Sequence, residues 1–196
     1  MKLEGDYRFD AAVQDVWNAL FDPAVLAAAL PGCEKLDLVD GAYVGEMTIK
    51  VGPISGKFTG KVQLEDKVEP ERYKMIVDGR GPQGFVKATA TIALAADRDG
   101  TKLHYDADAQ IGGKIASVGQ RLIDASARAI TKQALDNLHE NIKRRVAQKA
   151  AEAPVYKQAA AGDMAKAVAK EVGKTLLPMI IIGVVAVAVI AWWLLR

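Results

Sequence analysis

The stretch Gly100–Arg128, GTKLHYDADAQIGGKIASVGQRLIDASAR, changes its period half-way along. Up to Ile111 it alternates: Leu103, Tyr105, Ala107, Ala109 and Ile111 share one side, and Lys102, His104, Asp106, Asp108 and Gln110 the other. A period of two belongs to a strand with one face buried and one in water. After Gly112-Gly113 the spacing turns helical. Ile115, Val118, Leu122, Ser126, Ile130, Leu138 and Ile142 make one stripe of a long helix reaching about Gln148. A strand feeding a helix with one apolar stripe gives a sheet and its natural cover.

Upstream segments repeat the alternation. Val86, Ala88, Ala90, Ile92 and Leu94 face away from Lys87, Thr89 and Thr91. Tyr73, Met75 and Val77 share a face, as do Phe58, Val62 and Leu64, and Tyr43, Met47, Ile49 and Val51. Asp40-Gly41 and Asp99-Gly100 are hairpin signals. Residues 2–9 alternate too. Val13, Val16, Trp17, Leu20 and Phe21 then form a helical face, with Asp10 as its expected N-cap. Pro23 starts a second short helix, and Pro31-Gly32 ends it. The order is one strand, two short helices, six strands and a long helix. It predicts an α+β domain over residues 1–148. In it a curved antiparallel seven-stranded sheet grips the C-terminal helix, the arrangement called helix-grip.

Inward positions at Ala88, Ala90, Ala107, Ala109, Gly119 and Ser126 are small. Either helix and sheet pack closely there, or they enclose an apolar pocket. The pocket reading adds Met47, Ile49, Val62, Met75, Val77, Val86, Tyr105, Ile115, Val118 and Leu122 as ligand-binding lining. Its expected portal is two loops: Val51–Gly56, with Ile54, and the loop of Gly79, Gly81, Gly84 and Phe85, with apolar residues where turns put side chains outside.

The tail differs in kind. Leu176–Leu195 carries no charge over 20 residues. A helix of that length rises about 30 Å, enough for a bilayer's hydrocarbon core. Trp192, Trp193 and Arg196 suit its far interface. Residues 149–175, rich in Ala and Lys, read as a linker and then a juxtamembrane segment. Met164, Val168 and Val172 there face away from Lys166, Lys170 and Lys174, which fits an amphipathic helix on the bilayer or a solvated Ala-rich helix. The opening MKLEGDYRFD has no apolar run and so is not a signal peptide. The expectation is one C-terminal anchor with the domain in the cytoplasm, since the lysines precede the span. A single cysteine, Cys33, agrees with a reducing compartment.

Charge excludes some classes. Residues 1–148 hold 20 Lys and Arg against 21 Asp and Glu, so the chain's net charge of +2 belongs to the tail. A nucleic-acid binder would want a basic domain, and none is expected here. Gly79-Arg80-Gly81-Pro82-Gln83-Gly84 fits G-x-G-x-x-G, but strands flank it on both sides where a dinucleotide site needs a helix. His104 and His139 read as surface residues without zinc-ligand spacing. Cys33 lacks a partner base and reads as a small apolar residue near the portal. Asp106 and Asp108 face solvent. No catalytic residue and no metal site is expected. The pocket's polar groups are Tyr73, Tyr105 and Ser126, which offer little for acid–base work.

FDPAVLAAALPGCEKLD, VGPISGKFTGKV, DGRGPQGFVKATATIAL and the opening stretch together resemble the CoxG family of carbon monoxide dehydrogenase accessory proteins, within the START-like, helix-grip (SRPBCC) superfamily. The resemblance covers about residues 1–148. It implies the same fold and a bacterial accessory protein that recruits a molybdenum hydroxylase, such as carbon monoxide dehydrogenase, to the cytoplasmic membrane. It implies neither catalysis nor metal binding. Relatives often carry paired phenylalanines near Ala134-Leu135, so the far end of the pocket is expected to differ here. An anchored apolar pocket beside an electron-producing enzyme leads us to expect a quinone as bound ligand, with no covalent cofactor. The alternatives are a general lipid carrier without a dehydrogenase partner and a START-fold enzyme.

Overall fold

The structure, a computed structural model, describes residues 1–152. The membrane span expected at Leu176–Leu195 and the linker beyond 152 lie outside the described residues. Among the described residues no helix is long and apolar enough to cross a membrane.

The chain runs β1 (Lys2–Phe9), α1 (Val13–Leu20), α2 (Pro23–Ala29), β2 (Cys33–Val39), β3 (Ala42–Val51), β4 (Ile54–Val68), β5 (Arg72–Gly81), β6 (Gly84–Asp97), β7 (Gly100–Gly112), a 3₁₀ turn (Lys114–Val118) and α3 (Gln120–Glu152). All seven strands form one antiparallel sheet in the order β1-β7-β6-β5-β4-β3-β2. Sequential strands from β2 to β7 are neighbours, and β1 closes onto β7. The two short helices therefore bridge the sheet's two edges.

Cross-strand register aligns the inward residues in rows. Leu64 stands opposite Met75, Met75 opposite Ala90, Ala90 opposite Ala107 and Ala107 opposite Leu3. Large side chains thus end the row and alanines fill its middle. Two clusters bury the apolar surface. The larger joins Phe9, Val16, Trp17, Tyr73, Ile92, Leu103, Leu138 and Ile142. The smaller joins Val51, Phe58, Ile115 and Ile123, with Ile49, Ile111 and Val118 packed on it.

Three local expectations need correction. Asp10 does not cap α1: the N-cap is Ala12, without a side-chain hydrogen bond, and Asp10 instead receives Arg8 at 2.6 Å. The long helix does not start after Gly113. Gly113 (φ 87) and Gly119 (φ 91) bracket a separate 3₁₀ turn in a backbone region open to glycine, and α3 begins at Gln120. That break resets the helical phase. The inward stripe becomes Ile123, Ile130, Ala134, Leu138 and Ile142, while Leu122 turns out to 38% exposure and lies over the Gly52 turn. Finally, α3 continues to Glu152, so residues 149–152, assigned to the linker, are helical.

α2 follows the pattern its sequence suggests. Asp22 caps it, accepting from the N–H of Ala24 at 2.9 Å and of Val25 at 3.3 Å, with Pro23 in the first turn. Arg145 of α3 reaches the same carboxylate at 2.7 Å. Asn137 of α3 donates to the Ala29 carbonyl at 2.9 Å. These two contacts hold α2 against α3 above the sheet.

Candidate functional site

Between α2, α3 and the concave sheet lies a cavity of about 370 Å³. The sheet contributes the alanine row together with Val62, Tyr73, Val77, Ile92, Leu103 and Tyr105. The roof comes from Leu26, Ala29 and Leu30 of the α2 segment and from Ile130, Thr131, Ala134, Leu135 and Leu138 of α3. Leu20 and Leu36 complete the wall beside Tyr43. Its polar groups are the hydroxyls of Tyr43, Tyr73, Tyr105 and Thr131. A second compartment of about 190 Å³ adjoins it, sharing Leu30, Leu36, Tyr43, Val62 and Val77, and extends past Met47, Ile49, Phe58 and Val86. Its charged lining, Lys35 and Glu46, stands beside the bulge between Cys33 and Lys35. Charged side chains mark solvent, so this bulge is where the second compartment meets water.

The expected lining divides in two. Val62, Met75, Val77, Ala90, Tyr105 and Ala107 line the main compartment, and Met47, Ile49 and Val86 the second. Ala88 and Ala109 pair with each other across β6 and β7 but border neither. Ile115 and Val118 are part of the smaller core cluster. Gly119 has open space where a side chain would stand, and Leu122 is exposed, so neither faces the cavity. Ser126 lies one turn before the roof residues and also lines neither compartment. For Gly119, Leu122 and Ser126 the cause is shared: the glycine break moved this end of the helix off the extrapolated stripe.

The portal residues are placed differently from expectation. Gly79 and Gly81 lie inside β5, and Gly84 and Phe85 open β6, leaving only Pro82-Gln83 as the turn. Gly81 packs against β4 beside the Phe58 ring, and Gly84 packs against Gly112 and Gly113. The Gln83 carbonyl accepts from the Ile115 N–H at 2.8 Å. Phe85, 39% exposed, points away from Val86 and covers Gly112 on the outer face. Ile54 opens β4 after a two-residue turn, half-buried. This end of the grip is sealed by the smaller cluster; of the five, only Gly79 touches a compartment. The glycines serve close backbone packing rather than an opening loop.

Sequence reading missed the roof. Leu26, Ala29 and Leu30 sit in PAVLAAAL, a segment apolar on every side, and a short helix apolar all round must face something on more than one side. Leu3 and Leu36 were hidden because edge-strand residues look the same whether they meet solvent or a cavity.

Charge chemistry lies elsewhere. Burial pushes the Tyr73 phenol above its usual range, and neighbouring Tyr43 adds to this, so it stays protonated. Tyr43 donates to the Phe21 carbonyl at 2.9 Å. Burial also pushes up the Cys33 thiol, which faces the second compartment. His104 lies 2.8 Å from Asp6 on the outer sheet face. His139, expected at the surface, is instead half-buried against Phe9, 3.4 Å from Asp10 and away from the cavity. Tyr7 bonds Asp136 at 2.9 Å, and burial with that neighbour pushes its phenol up to about 12. Among the described residues no cluster of His, Cys, Asp and Glu could hold a metal ion.

The model of the carbon monoxide dehydrogenase CoxG family matches residues 5–143. The chain belongs to this family. A conserved protein from Geobacillus kaustophilus superposes with a TM-score of 0.70 at 29% identity, covering 74% of this chain and 96% of that one. The Zhui aromatase/cyclase from Streptomyces sp. R1128 superposes at 0.54 and 15% identity over 74% and 95%. A Chromobacterium violaceum protein gives 0.53 at 21% over 72% and 96%. The last two show the shared helix-grip fold alone. A comparison with curated proteins found no match. Family and fold together support a hydrophobic-ligand-binding protein, and the family is accessory rather than catalytic.

Proposed function

We propose that this protein is a membrane-anchored adaptor. It recruits a molybdenum hydroxylase of the carbon monoxide dehydrogenase type to the cytoplasmic face of the bacterial inner membrane. It holds a lipophilic molecule, a quinone, in its cavity and so connects the enzyme to the respiratory chain. The observation that carries this reading is the cavity, about 370 Å³ and walled almost wholly by hydrocarbon. A preformed apolar space of this kind favours an apolar guest. The family name supplies the partner class. The uncharged stretch Leu176–Leu195 supplies the reason to sit at a membrane, where tethering raises the local concentration of docked enzyme and quinone alike.

The aromatase/cyclase on this fold favours weighing an enzyme as well. General acid–base work needs a group that can exchange a proton near neutral pH. The polar lining of the main compartment is three tyrosines and a threonine, and burial drives the deepest tyrosine further from neutrality. Binding is the better reading.

Extraction of the full chain, purified from membranes of its native host, with organic solvent should release a quinone at near one per chain. Recovery of no lipophilic molecule counts against the cavity's role. Detergent-solubilised membranes passed over the tagged chain should yield a molybdenum hydroxylase in the eluate. Its absence, with quinone present, leaves a lipid carrier without a dehydrogenase partner.

A further inference from the structure

The main compartment's wall is hydrocarbon except at four hydroxyls, and one of them is placed unlike the rest. Tyr43 already donates to the Phe21 carbonyl. Tyr73 is 4% exposed. Its ring stands edge-on to Trp17 at 5.6 Å and to Phe21 at 5.1 Å, so it has no room to swing. Its hydroxyl makes no hydrogen bond among the described residues. Nor is it sealed away: it is not one of the buried side-chain atoms that lack both a partner and adjoining space, which among the described residues are His139 Nε2 and Asn141 Nδ2, away from this cavity. The space beside a side chain this buried is the cavity it lines. A phenol O–H fixed in position and turned to an apolar space is a donor awaiting an acceptor, because a buried polar group left unpaired is destabilising.

We propose that Tyr73 is the specificity-determining anchor of the cavity, donating its O–H to a carbonyl oxygen of the bound molecule, so that the site selects lipophilic ketones and quinones over equally apolar molecules without an acceptor. This rests on the reading of the cavity as a ligand site and adds the residue that chooses the ligand's head group. Discrimination follows because a ligand lacking the acceptor leaves the donor unpaired, whereas extra hydrocarbon changes affinity little. Tyr105 stands opposite Ile92 on the neighbouring strand and reaches across β1, where its hydroxyl overlies Gly5. It is half-buried and serves as the comparison.

The test uses the full chain held in amphipol, dialysed to equilibrium against 2-methyl-1,4-naphthoquinone and against 2-methylnaphthalene. The probes share a carbon skeleton and differ by two carbonyls. Tyr73→Phe should weaken quinone binding about tenfold and leave naphthalene binding unchanged, since one net hydrogen bond is lost and no packing. Tyr105→Phe should weaken quinone binding less. In Tyr73→Phe the ring keeps its place against Trp17 and Phe21, so the melting temperature should stay that of the wild type. Independently of any variant, the infrared carbonyl stretch of the quinone bound to wild type should fall below its value in hydrocarbon solvent. An unshifted stretch overturns the anchor, as does an unchanged quinone affinity in Tyr73→Phe, equal loss for both probes, or a larger loss in Tyr105→Phe. In each of those cases the quinone still binds the wild type and the ligand-site reading stands. Failure of the quinone to bind the wild type overturns that reading and the anchor with it.

Discussion

The two halves of the grip use the same period-two strands, yet one is hollow and the other solid. In the solid half, Val51, Ile115 and Ile123 fill the space between sheet and helix, and Phe58 closes it off from the second compartment. In the hollow half, Ala90 and Ala107 face Ala134 and Leu135 across the cavity. Two things make the difference. The 3₁₀ turn drives Ile115 into the sheet at one end, and α2 stands as a roof at the other, held off the sheet by its contacts with α3. A pocket here arises from small residues under a spanning roof, not from any special lining chemistry.

The comparison breaks most sharply if the solid half is hollowed. Ile123 is buried and borders neither compartment, so Ile123→Ala should cost about 2–5 kcal/mol, as large-to-small changes in closed cores do. Leu135→Ala in the roof enlarges a space that already exists and should fall below the range of about 2–5 kcal/mol usual for closed cores. Urea unfolding of both variants measures this. Equal losses would show that the hollow half is filled in solution.

Next in size is the backbone that seals the solid end. Gly113 has φ 87, and a side chain there would run into the Gly84 backbone at 2.5 Å. Gly113→Ala should destabilise by about 1–3 kcal/mol, the usual strain at such a position. Hydrogen exchange should rise at the Ile115 amide, which is bonded to the Gln83 carbonyl. Protection unchanged at Ile115 would mean the 3₁₀ turn is not what closes this end.

How much of this the sequence disclosed follows the same division. The five strands from β3 to β7 and their inward faces were legible, because alternation survives wherever one face is buried; the edge strands β1 and β2 were expected, but not which of their residues face inward. Ala90 and Ala107 were legible too, since their smallness implies volume. The phase of the helix was not legible: Ile115 and Val118 lie on a 3₁₀ turn, and carrying their spacing through Gly119 turned Leu122 inward when Ile123 holds that place. The loop near Phe85 misled for a related reason. Glycines suit an opening loop and a close backbone contact alike, and only the pairing of Gly81 with Gly84 distinguishes them.

Filling the hollow half should cost less than opening the solid one. Ala107→Phe adds a ring where the cavity has room, so its loss should stay below the range of about 1–3 kcal/mol typical of overpacked cores. Quinone retention should fall steeply, read by solvent extraction of the purified variant. A large stability loss with the guest retained would place the cavity elsewhere.

The smallest effect tests the roof's fastening. Burial alone would raise the Asp22 carboxyl, but Arg145 and the two α2 N–H groups outweigh it and hold it below its usual value. A carboxylate lowered in the folded state stabilises above its unfolded pKa of about 3.9 and loses that contribution as pH falls through its folded value. The roof should therefore loosen only in acid, below about pH 4. At neutral pH, Asp22→Asn keeps an acceptor for the cap and removes only the ion pair with Arg145, which is half-exposed and so contributes about 0–1 kcal/mol. The variant should melt close to the wild type at pH 7, while the two curves of stability against pH converge in acid. Guest release should rise in step with that acid loss in the wild type and lose this component in Asp22→Asn. Identical pH profiles for the two would mean that α2 is fastened by Asn137 and its leucines alone, and that the roof carries no charge-dependent clasp.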